Sequence, residues 1–309
     1  MEFDSIVEAA RNCIKTKRIF GNNLKPRFES FHAPSSICSE KVRCTLLFKG
    51  VNFIAYDVDI TVQENYQPAY VKMRSLGRGD KLLVGDHIWT GSTSAEGMGF
   101  DPLVVPTLVD NLKKVVVVDS KKIMSYLEKE VPNPPLHPIA EEELVAKHVK
   151  LVDDTPHAGL LYGGDPDNDT RPTFIKEFSD DLVTTQTSSL NKWLNDPTLP
   201  DDLRPLYEAK LKKMTMVKNT INSKADVLRE SMSLTKQFLA VLEADLKASK
   251  GPWICGQVFT MADIVWHVSL LRFVTFGCDY LTENLPEVLQ VLFKIFIIST
   301  YFLGVCLHG

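Results

Sequence analysis

From residue 27 onward, the spacing of apolar positions changes repeatedly between the period of a strand and the period of a helix. Alternating side chains predict strands, and apolar residues three and four apart predict helices. The predicted elements are, in chain order, a strand over 27–32, a helix over 39–49, a strand over 52–60, a helix over 65–74, strands over 104–109 and 114–118, and a helix over 120–129. This order predicts an α/β domain, with strand 27–32 at an edge of its sheet and Asp110-Asn111 in the turn between the last two strands.

Four prolines between residues 131 and 138 indicate a stiff boundary after this domain. Beyond the boundary the apolar spacing stays helical, as at Leu234, Phe238 and Leu242, until Gly251-Pro252 ends that helix. The chain therefore divides into an α/β domain followed by an all-α domain. The predicted segments are an N-terminal extension over 1–25, an α/β domain over 26–131, an insertion over 75–102 within it, an all-helical domain over 139–287 and an apolar C-terminal segment over 288–309.

Three of these segments lie outside the two-domain pattern. The extension is expected to form one short helix. The insertion is rich in glycine and shows strand character only at 81–84 and 87–89, so it is either a functional loop beside the site or a disordered one. Residues 288–307 are apolar apart from Gln290, Lys294 and a few small polar positions. They form a buried last helix, a membrane tail anchor or an ending that is not the native one.

Composition narrows the function classes. The 309 residues are 44% apolar and 24% charged, which is ordinary for a globular protein. The net charge of −4 and the scattered basic residues give no reason to expect a nucleic acid partner. The six cysteines show no metal-ligand spacing, and the first 18 residues lack the apolar core of a secretory signal. We therefore expect reduced thiols, a cytoplasmic location and no metal site. His32, His148 and His157 are expected to be structural or surface residues.

The most informative position is Cys38, which lies in a serine-rich turn between the first strand and the first helix. The start of a helix leaves backbone N–H groups unpaired and carries partial positive charge. A thiol at such a position ionises more readily, so Cys38 is a candidate nucleophile toward a disulfide-like or thioether sulfur. Ser36 can donate a hydrogen bond to a sulfur anion, and it can also cap the helix. The alternative for Cys38 is packing under the turn.

Two later pairs are candidate ligand contacts. Pro106 cannot donate to a strand ladder, and a cis Val105-Pro106 bond would turn the Val105 backbone toward an extended peptide ligand. Asp119 can receive an amino group, and the helix that begins at Ser120 can receive a carboxylate. The alternatives are an ordinary edge proline and capping of the helix by Asp119 or Ser120.

These pieces, together with residues 256–263, resemble the glutathione S-transferase superfamily in order and spacing. Within 256–263, Thr260 and Asp263 form the pattern of a capping box, whose role is folding. The resemblance covers residues 27–285. It implies a thioredoxin-like α/β domain joined to an all-helical domain, with glutathione as co-substrate, a small electrophilic substrate and a homodimer.

The resemblance also implies a role for each candidate residue. The backbone of Val105 would pair with the backbone of glutathione. Asp119 and Ser120 would hold its γ-glutamyl end. Ser36 or Cys38 would face its sulfur.

A closer resemblance is to the tetrachlorohydroquinone reductive dehalogenases, through the turn 36–39, the run 58–71 and residues 262–272. In those enzymes glutathione displaces halide, and a cysteine then takes the glutathionyl group as a mixed disulfide and releases the reduced ring. A second glutathione resets the enzyme. The resemblance implies that Cys38 is this cysteine, that Ser36 is the neighbouring hydroxyl, and that the substrate is an aromatic halide.

A second resemblance, through residues 149–164 and the apolar C-terminus, is to the ganglioside-induced differentiation-associated proteins. These are tail-anchored in the outer mitochondrial membrane. The alternative function is therefore a tail-anchored, weakly catalytic binding or sensing module. The sequence departs from the superfamily pattern in its extension, in its insertion and in the apolar segment that stands where an arginine-bearing final helix is expected. The insertion bears on substrate choice, and the apolar segment bears on localisation.

Overall fold

The computed structural model describes residues 2–78, 99–221, 225–292 and 294. The strand character at 81–84 and 87–89, and most of the predicted insertion, lie outside the described residues. The α/β domain consists of α1 (Glu2–Cys13), β1 (Thr16–Phe20), β2 (Phe28–His32), α2 (Ile37–Phe48), β3 (Phe53–Asp57), α3 (Pro68–Ser75), β4 (Thr107–Asp110), β5 (Val115–Val118) and α4 (Ser120–Glu130). The predicted order of strand, helix, strand, helix, strand, strand, helix from residue 27 is confirmed.

The strands form one mixed sheet in the order β1-β3-β2-β4-β5. β2 lies at its centre, parallel to β3 and antiparallel to β4, and all five of its residues are buried. The prediction that residues 27–32 form an edge strand is therefore wrong. The crossover through α2 places β3 on one side of β2, and the β4–β5 hairpin covers the other side.

The N-terminal extension contributes a strand as well as the expected helix. β1 pairs antiparallel with β3 along its whole length, and Phe20 stacks on Phe53 with ring centroids 4.5 Å apart. α1 packs against α3, where Val7 and Ala10 are fully buried. Because β1 is an edge strand with its first residues exposed, its polar Thr16-Lys17-Arg18 start gives little strand signal.

The turn between β4 and β5 is longer than the expected two residues. It runs over residues 111–114, and Lys114 takes the left-handed conformation with φ +55°. Asp110 Oδ1 accepts hydrogen bonds from the Leu112 N–H at 2.9 Å and from the Lys113 N–H at 3.1 Å. This bonding of an aspartate to the backbone that follows it stabilises the longer turn.

The second domain is helical in all of its described segments. It contains α5 (Glu142–Asp154), α6 (His157–Tyr162), α7 (Thr173–Leu194), α8 (Arg204–Ile221), α9 (Ala225–Ala248) and α10 (Met261–Thr275). The predicted capping box at the start of α10 is confirmed, since the Asp263 carboxylate accepts from the Thr260 N–H at 2.8 Å. It also accepts from the Ile254 N–H at 2.9 Å. α10 is buried along its first ten residues, so it forms the centre of the helical domain.

The described start of the apolar C-terminal segment packs into the protein. Val288 and Leu292 are buried in the same apolar cluster as α10, and Lys294 Nζ donates to the Pro252 carbonyl oxygen at 3.2 Å. The rest of residues 288–309 lies outside the described residues. Among the helices that are described, none combines the length and the apolarity of a membrane span.

Candidate functional site

The site lies where α2 of the first domain meets α10 of the second. Thr45, near the end of α2, lies with its Oγ1 4.0 Å from Sδ of Met261, the first residue of α10. At the opposite end, Arg272 Nη2 in the last turn of α10 donates to the Ser35 carbonyl oxygen at 2.5 Å. The two helices therefore run antiparallel, and the start of α2 faces the end of α10.

Ser36 and Cys38 both lie at this start of α2. Ser36 is the N-cap, with φ −85° and ψ 123°, and its Oγ accepts a hydrogen bond from the Ser39 N–H at 3.4 Å. As an acceptor in that bond, the hydroxyl keeps its own proton for a ligand. Cys38 is the second residue of the helix and is half-buried. Capping of α2 by Ser36 is thus confirmed. The cap is compatible with a second role in which the Ser36 hydroxyl donates to a sulfur anion.

The Val105-Pro106 peptide bond is cis, which is one of the two alternatives for this proline. Buried polar side chains from α3 fix the backbone around it. Tyr70 donates through its hydroxyl to the Val104 carbonyl oxygen at 2.8 Å. The guanidinium of Arg74 donates to the Pro106 carbonyl oxygen and, at 2.8 Å, to Thr107 Oγ1. Val105 itself is half-buried at this turn.

Asp119 caps α4, and Ser120 is the first residue of that helix. Asp119 Oδ1 accepts from the Lys121 N–H at 2.9 Å, and the residue has φ +76°, which is uncommon for a residue other than glycine. The capping alternative is therefore confirmed for Asp119. The helix start beside it presents the backbone N–H groups and partial positive charge that suit a carboxylate.

A charged cluster joins Asp119 to α2. Asp153, at the end of α5, lies with Oδ1 3.6 Å from Lys41 Nζ and with Oδ2 3.8 Å from Lys121 Nζ. Burial raises the pKa of Asp153, the two lysines oppose this shift, and Asp119 adds to it. Lys41 lies one helical turn after Cys38 on α2. The Asp153 cluster, formed by Lys41, Lys121 and Asp153, thus brings the start of α4 close to α2 one turn after Cys38.

His157, at the start of α6, lies near Lys41 and Arg272. Its Nε2 is 2.8 Å from Ser269 Oγ, and its ring stacks on Phe273 with centroids 5.9 Å apart. Burial, with a smaller contribution from the charges of Lys41 and Arg272, lowers the pKa of His157 to about 3. His157 is therefore neutral near pH 7. Its contacts are structural, as expected, although it lies close to two cations of the site.

Sequence reasoning missed Lys41, Asp153 and Arg272. Each belongs to a helix whose apolar face explained the local pattern, and they converge only when the two domains pack together. The signal that could have found them is helical spacing, because Lys41 follows Cys38 by three positions and Arg272 follows Ser269 by three.

The other described cysteines have environments that disfavour a thiolate. Burial raises the pKa of four thiols to about 11 or 12, namely Cys13, Cys44, Cys255 and Cys278. Cys306 lies outside the described residues. Cys38 differs from these four by its place at a helix start beside Arg272.

Comparison with known proteins identifies the fold and the family. The sequence model of the glutathione S-transferase N-terminal domain matches residues 35–130. The chain is 38% identical to the 2,5-dichlorohydroquinone reductive dechlorinase of Sphingobium indicum over 259 residues, which covers 82% of this chain and 74% of the relative. It is 23% identical over 257 residues to the tetrachloro-p-hydroquinone reductive dehalogenase of Sphingobium chlorophenolicum, covering 80% and 83% of the two chains.

Solved structures agree on the fold. The β-etherase LigF from Sphingobium sp. strain SYK-6 superposes with a TM-score of 0.55 at 18% identity, over 87% of this chain and 94% of that one. A glutathione transferase family member from Pseudomonas fluorescens, solved with two glutathione bound, gives a TM-score of 0.50 at 14% identity over 88% and 89%. The α/β domain, the helical domain and the 38% identical relative together show that this chain belongs to the glutathione S-transferase family of glutathione-dependent enzymes.

Proposed function

We propose that this chain is a glutathione-dependent reductive dehalogenase that acts on a halogenated hydroquinone or a similar aromatic halide. The observation that carries the proposal is Cys38 at the second position of α2, in one turn with the hydroxyl of Ser36. A family member that only conjugates glutathione needs one group to face the thiolate. A thiol exchange step also needs a protein sulfur that can attack the sulfur of the glutathionyl group, and Cys38 in the same turn would supply it. The relatives named as reductive dechlorinase and dehalogenase support this choice of chemistry.

The proposed reaction replaces a carbon–halogen bond by a carbon–hydrogen bond and oxidises two thiols to one disulfide. First, a carbon–sulfur bond forms between glutathione and the ring, and halide leaves with the electron pair of the broken bond. The thiolate of Cys38 then attacks the sulfur of that thioether. The carbon–sulfur bond breaks, and the ring carbon keeps the electron pair and takes up a proton. Attack by a second glutathione on the mixed disulfide releases oxidised glutathione and restores the thiol of Cys38.

The other site residues would bind the tripeptide. Ser36 would donate its hydroxyl proton to the sulfur anion, and the backbone of Val105, before Pro106, would pair with the extended ligand. Asp119 would receive the amino group of the γ-glutamyl end. The first turn of α4 at Ser120 would receive the carboxylate. The Asp153 cluster supports these roles, because it brings the start of α4 close to the helix that carries Cys38.

The proposed chemistry also bears on compartment and assembly. A mixed disulfide that is reset by glutathione needs a reducing pool, so the proposal places the enzyme in the cytoplasm. A homodimer stays a prediction.

Product analysis tests the proposal. The full chain is incubated with 2,5-dichlorohydroquinone and glutathione, and chloride, ring product and oxidised glutathione are quantified. We expect one chloride and one oxidised glutathione for each dechlorinated ring. Cys38→Ser should release chloride but accumulate the aryl thioether, because the exchange step is lost.

Cys44→Ser serves as the matched control, because Cys44 lies on the same helix and burial raises the pKa of its thiol to about 12. It should give the wild-type products. If the wild-type chain itself makes only the thioether, or if Cys38→Ser still yields the dechlorinated ring, the reductive assignment is wrong. The first of these outcomes would indicate a conjugating transferase.

A further inference from the structure

Arg272 reaches from the helical domain into the turn that carries Cys38. Its Nη2 donates to the carbonyl oxygen of Ser35, the residue just before the N-cap Ser36. Its Cζ lies over the ring of Phe276, 5.2 Å from the centroid, which restricts the side chain on its own helix. The guanidinium is therefore held at the turn by a hydrogen bond on one side and by an aromatic ring on the other.

Arg272 and Cys38 lie close enough for their charges to interact. Burial lowers the pKa of Arg272, while the Glu40 carboxylate and the Cys38 sulfur oppose this shift. An arginine cation near a thiol favours the thiolate over the neutral thiol. The second influence on the sulfur is the N-terminus of α2, which also favours negative charge.

Other charged groups face this region from each packed element. Helix α2 contributes Glu40, Lys41 and Arg43, α4 contributes Asp119 and Lys121, and α5 contributes Asp153. His157 on α6 is titratable but neutral near pH 7. Their charges are largely matched among themselves. Lys41 and Lys121 share Asp153, and Arg43 Nη2 lies 4.0 Å from Glu40 Oε1. Arg272 shares the Glu40 carboxylate with Arg43, and its hydrogen bond goes to the neutral carbonyl group of Ser35 in the turn that carries Cys38.

We infer that Arg272 is a positioning residue for Cys38: it fixes the Ser35–Cys38 turn from the helical domain and stabilises negative charge on the sulfur. Docking of the two domains would thereby complete the sulfur centre. The inference rests on the proposed function in one respect, because that function gives the Cys38 thiolate its role in thiol exchange.

The test is the pH dependence of alkylation at Cys38 in the full chain. The rate of modification by iodoacetamide is followed by peptide mass, which separates Cys38 from the other cysteines. We expect the midpoint of the rate profile to move upward by about one pH unit in Arg272→Gln, in line with the loss of an opposite charge close to an ionising group. Arg229→Gln, at an exposed arginine paired with Asp167, should give the wild-type profile.

A second variant keeps the test decisive. Arg272→Lys retains a charge but lacks the planar fork that reaches Ser35, so its midpoint should lie between those of the wild type and Arg272→Gln. If Arg272→Gln does not fold, the midpoint of the Arg272→Lys profile is compared with that of the wild type, and this comparison alone tests the inference. A variant profile that coincides with the wild-type profile overturns the inference. The alkylation profile stays readable even if Cys38 forms no mixed disulfide, so failure of the proposed function and failure of this inference are distinguishable.

Discussion

Lys210 Nζ on α8 lies 2.7 Å from Asp101 Oδ2, and both side chains are more than nine-tenths buried. The pair joins the helical domain to the chain just before the Val105-Pro106 turn. Arg74 continues the connection, because its Nε donates to the Asp101 carbonyl oxygen at 2.9 Å and its Nη1 donates to the Pro106 carbonyl oxygen. The ion pair therefore bears on both stability and the position of the Val105-Pro106 turn.

Asp101→Asn should be strongly destabilising. The substitution leaves Lys210 buried without its carboxylate partner and also removes the carboxylate that lies 3.1 Å from Lys213 Nζ. Breaking a buried pair in this way costs about 3 kcal/mol in the free energy of unfolding. Urea unfolding measures the loss. Asp202→Asn, which breaks the exposed pair with Lys72, should change the free energy of unfolding by less than about 1 kcal/mol.

The same pair predicts a pH dependence. Burial raises the pKa of Asp101, but the charges of Lys210 and Lys213 outweigh it and hold the pKa below its usual 3.8. A carboxyl group whose pKa is lower in the folded chain contributes stability above the unfolded pKa and loses it as pH falls toward the folded pKa. The stability difference between wild type and Asp101→Asn should therefore shrink below about pH 4. Urea unfolding at several acidic pH values measures it, and a pH-independent difference would contradict the assignment.

Ser36 should separate helix capping from a role toward sulfur. Alanine removes the cap and costs about 1 kcal/mol, whereas glycine is nearly as good a cap and costs a few tenths. Both substitutions remove the hydroxyl. We therefore expect both to slow chloride release about tenfold through loss of a hydrogen bond to a charged sulfur, while only Ser36→Ala clearly lowers the melting temperature. If the rate of Ser36→Gly equals that of wild type, Ser36 acts as a cap alone.

Asp119→Asn should separate charge from capping at the start of α4. Asparagine caps helices as well as aspartate does and tolerates the positive φ of this residue. Stability should stay within about 0.5 kcal/mol. The KM for glutathione should rise about tenfold or more, because a charged hydrogen bond to its amino group is lost. Asp154→Asn, at a half-exposed aspartate paired with Lys150, is the control, and equal KM values for the two variants would refute the assigned role.

The parts of the fold that local sequence could predict are those with a clear period. β2, α2 and β3 follow from alternating or helical apolar spacing, and the capping box at Thr260 follows from two residues three apart. The central position of β2 could not be predicted from its own residues, because the neighbours of a strand in a sheet are set by the chain connections that lead to the other strands. β1 did not follow either, since an exposed edge strand with adjacent Lys17 and Arg18 lacks an apolar face.

The site divides in the same way. Ser36 and Cys38 were visible because they lie in one turn, and the helix that starts there follows from the local pattern. Arg272 and Asp153 were not visible, because they lie more than a hundred residues away and approach the turn only through domain packing. No local period in the sequence distinguishes these two charged residues from charged residues on a solvated helix face.

The central claim is that the sulfur of Cys38 accepts the glutathionyl group. The most direct test is the intact mass of the full chain after incubation with a glutathionyl-hydroquinone, with Cys38→Ser and Cys44→Ser alongside. We predict a single glutathione adduct on the wild type and on Cys44→Ser, removed by excess glutathione, and no adduct on Cys38→Ser. The absence of an adduct on the wild type, or its survival in Cys38→Ser, would contradict the account.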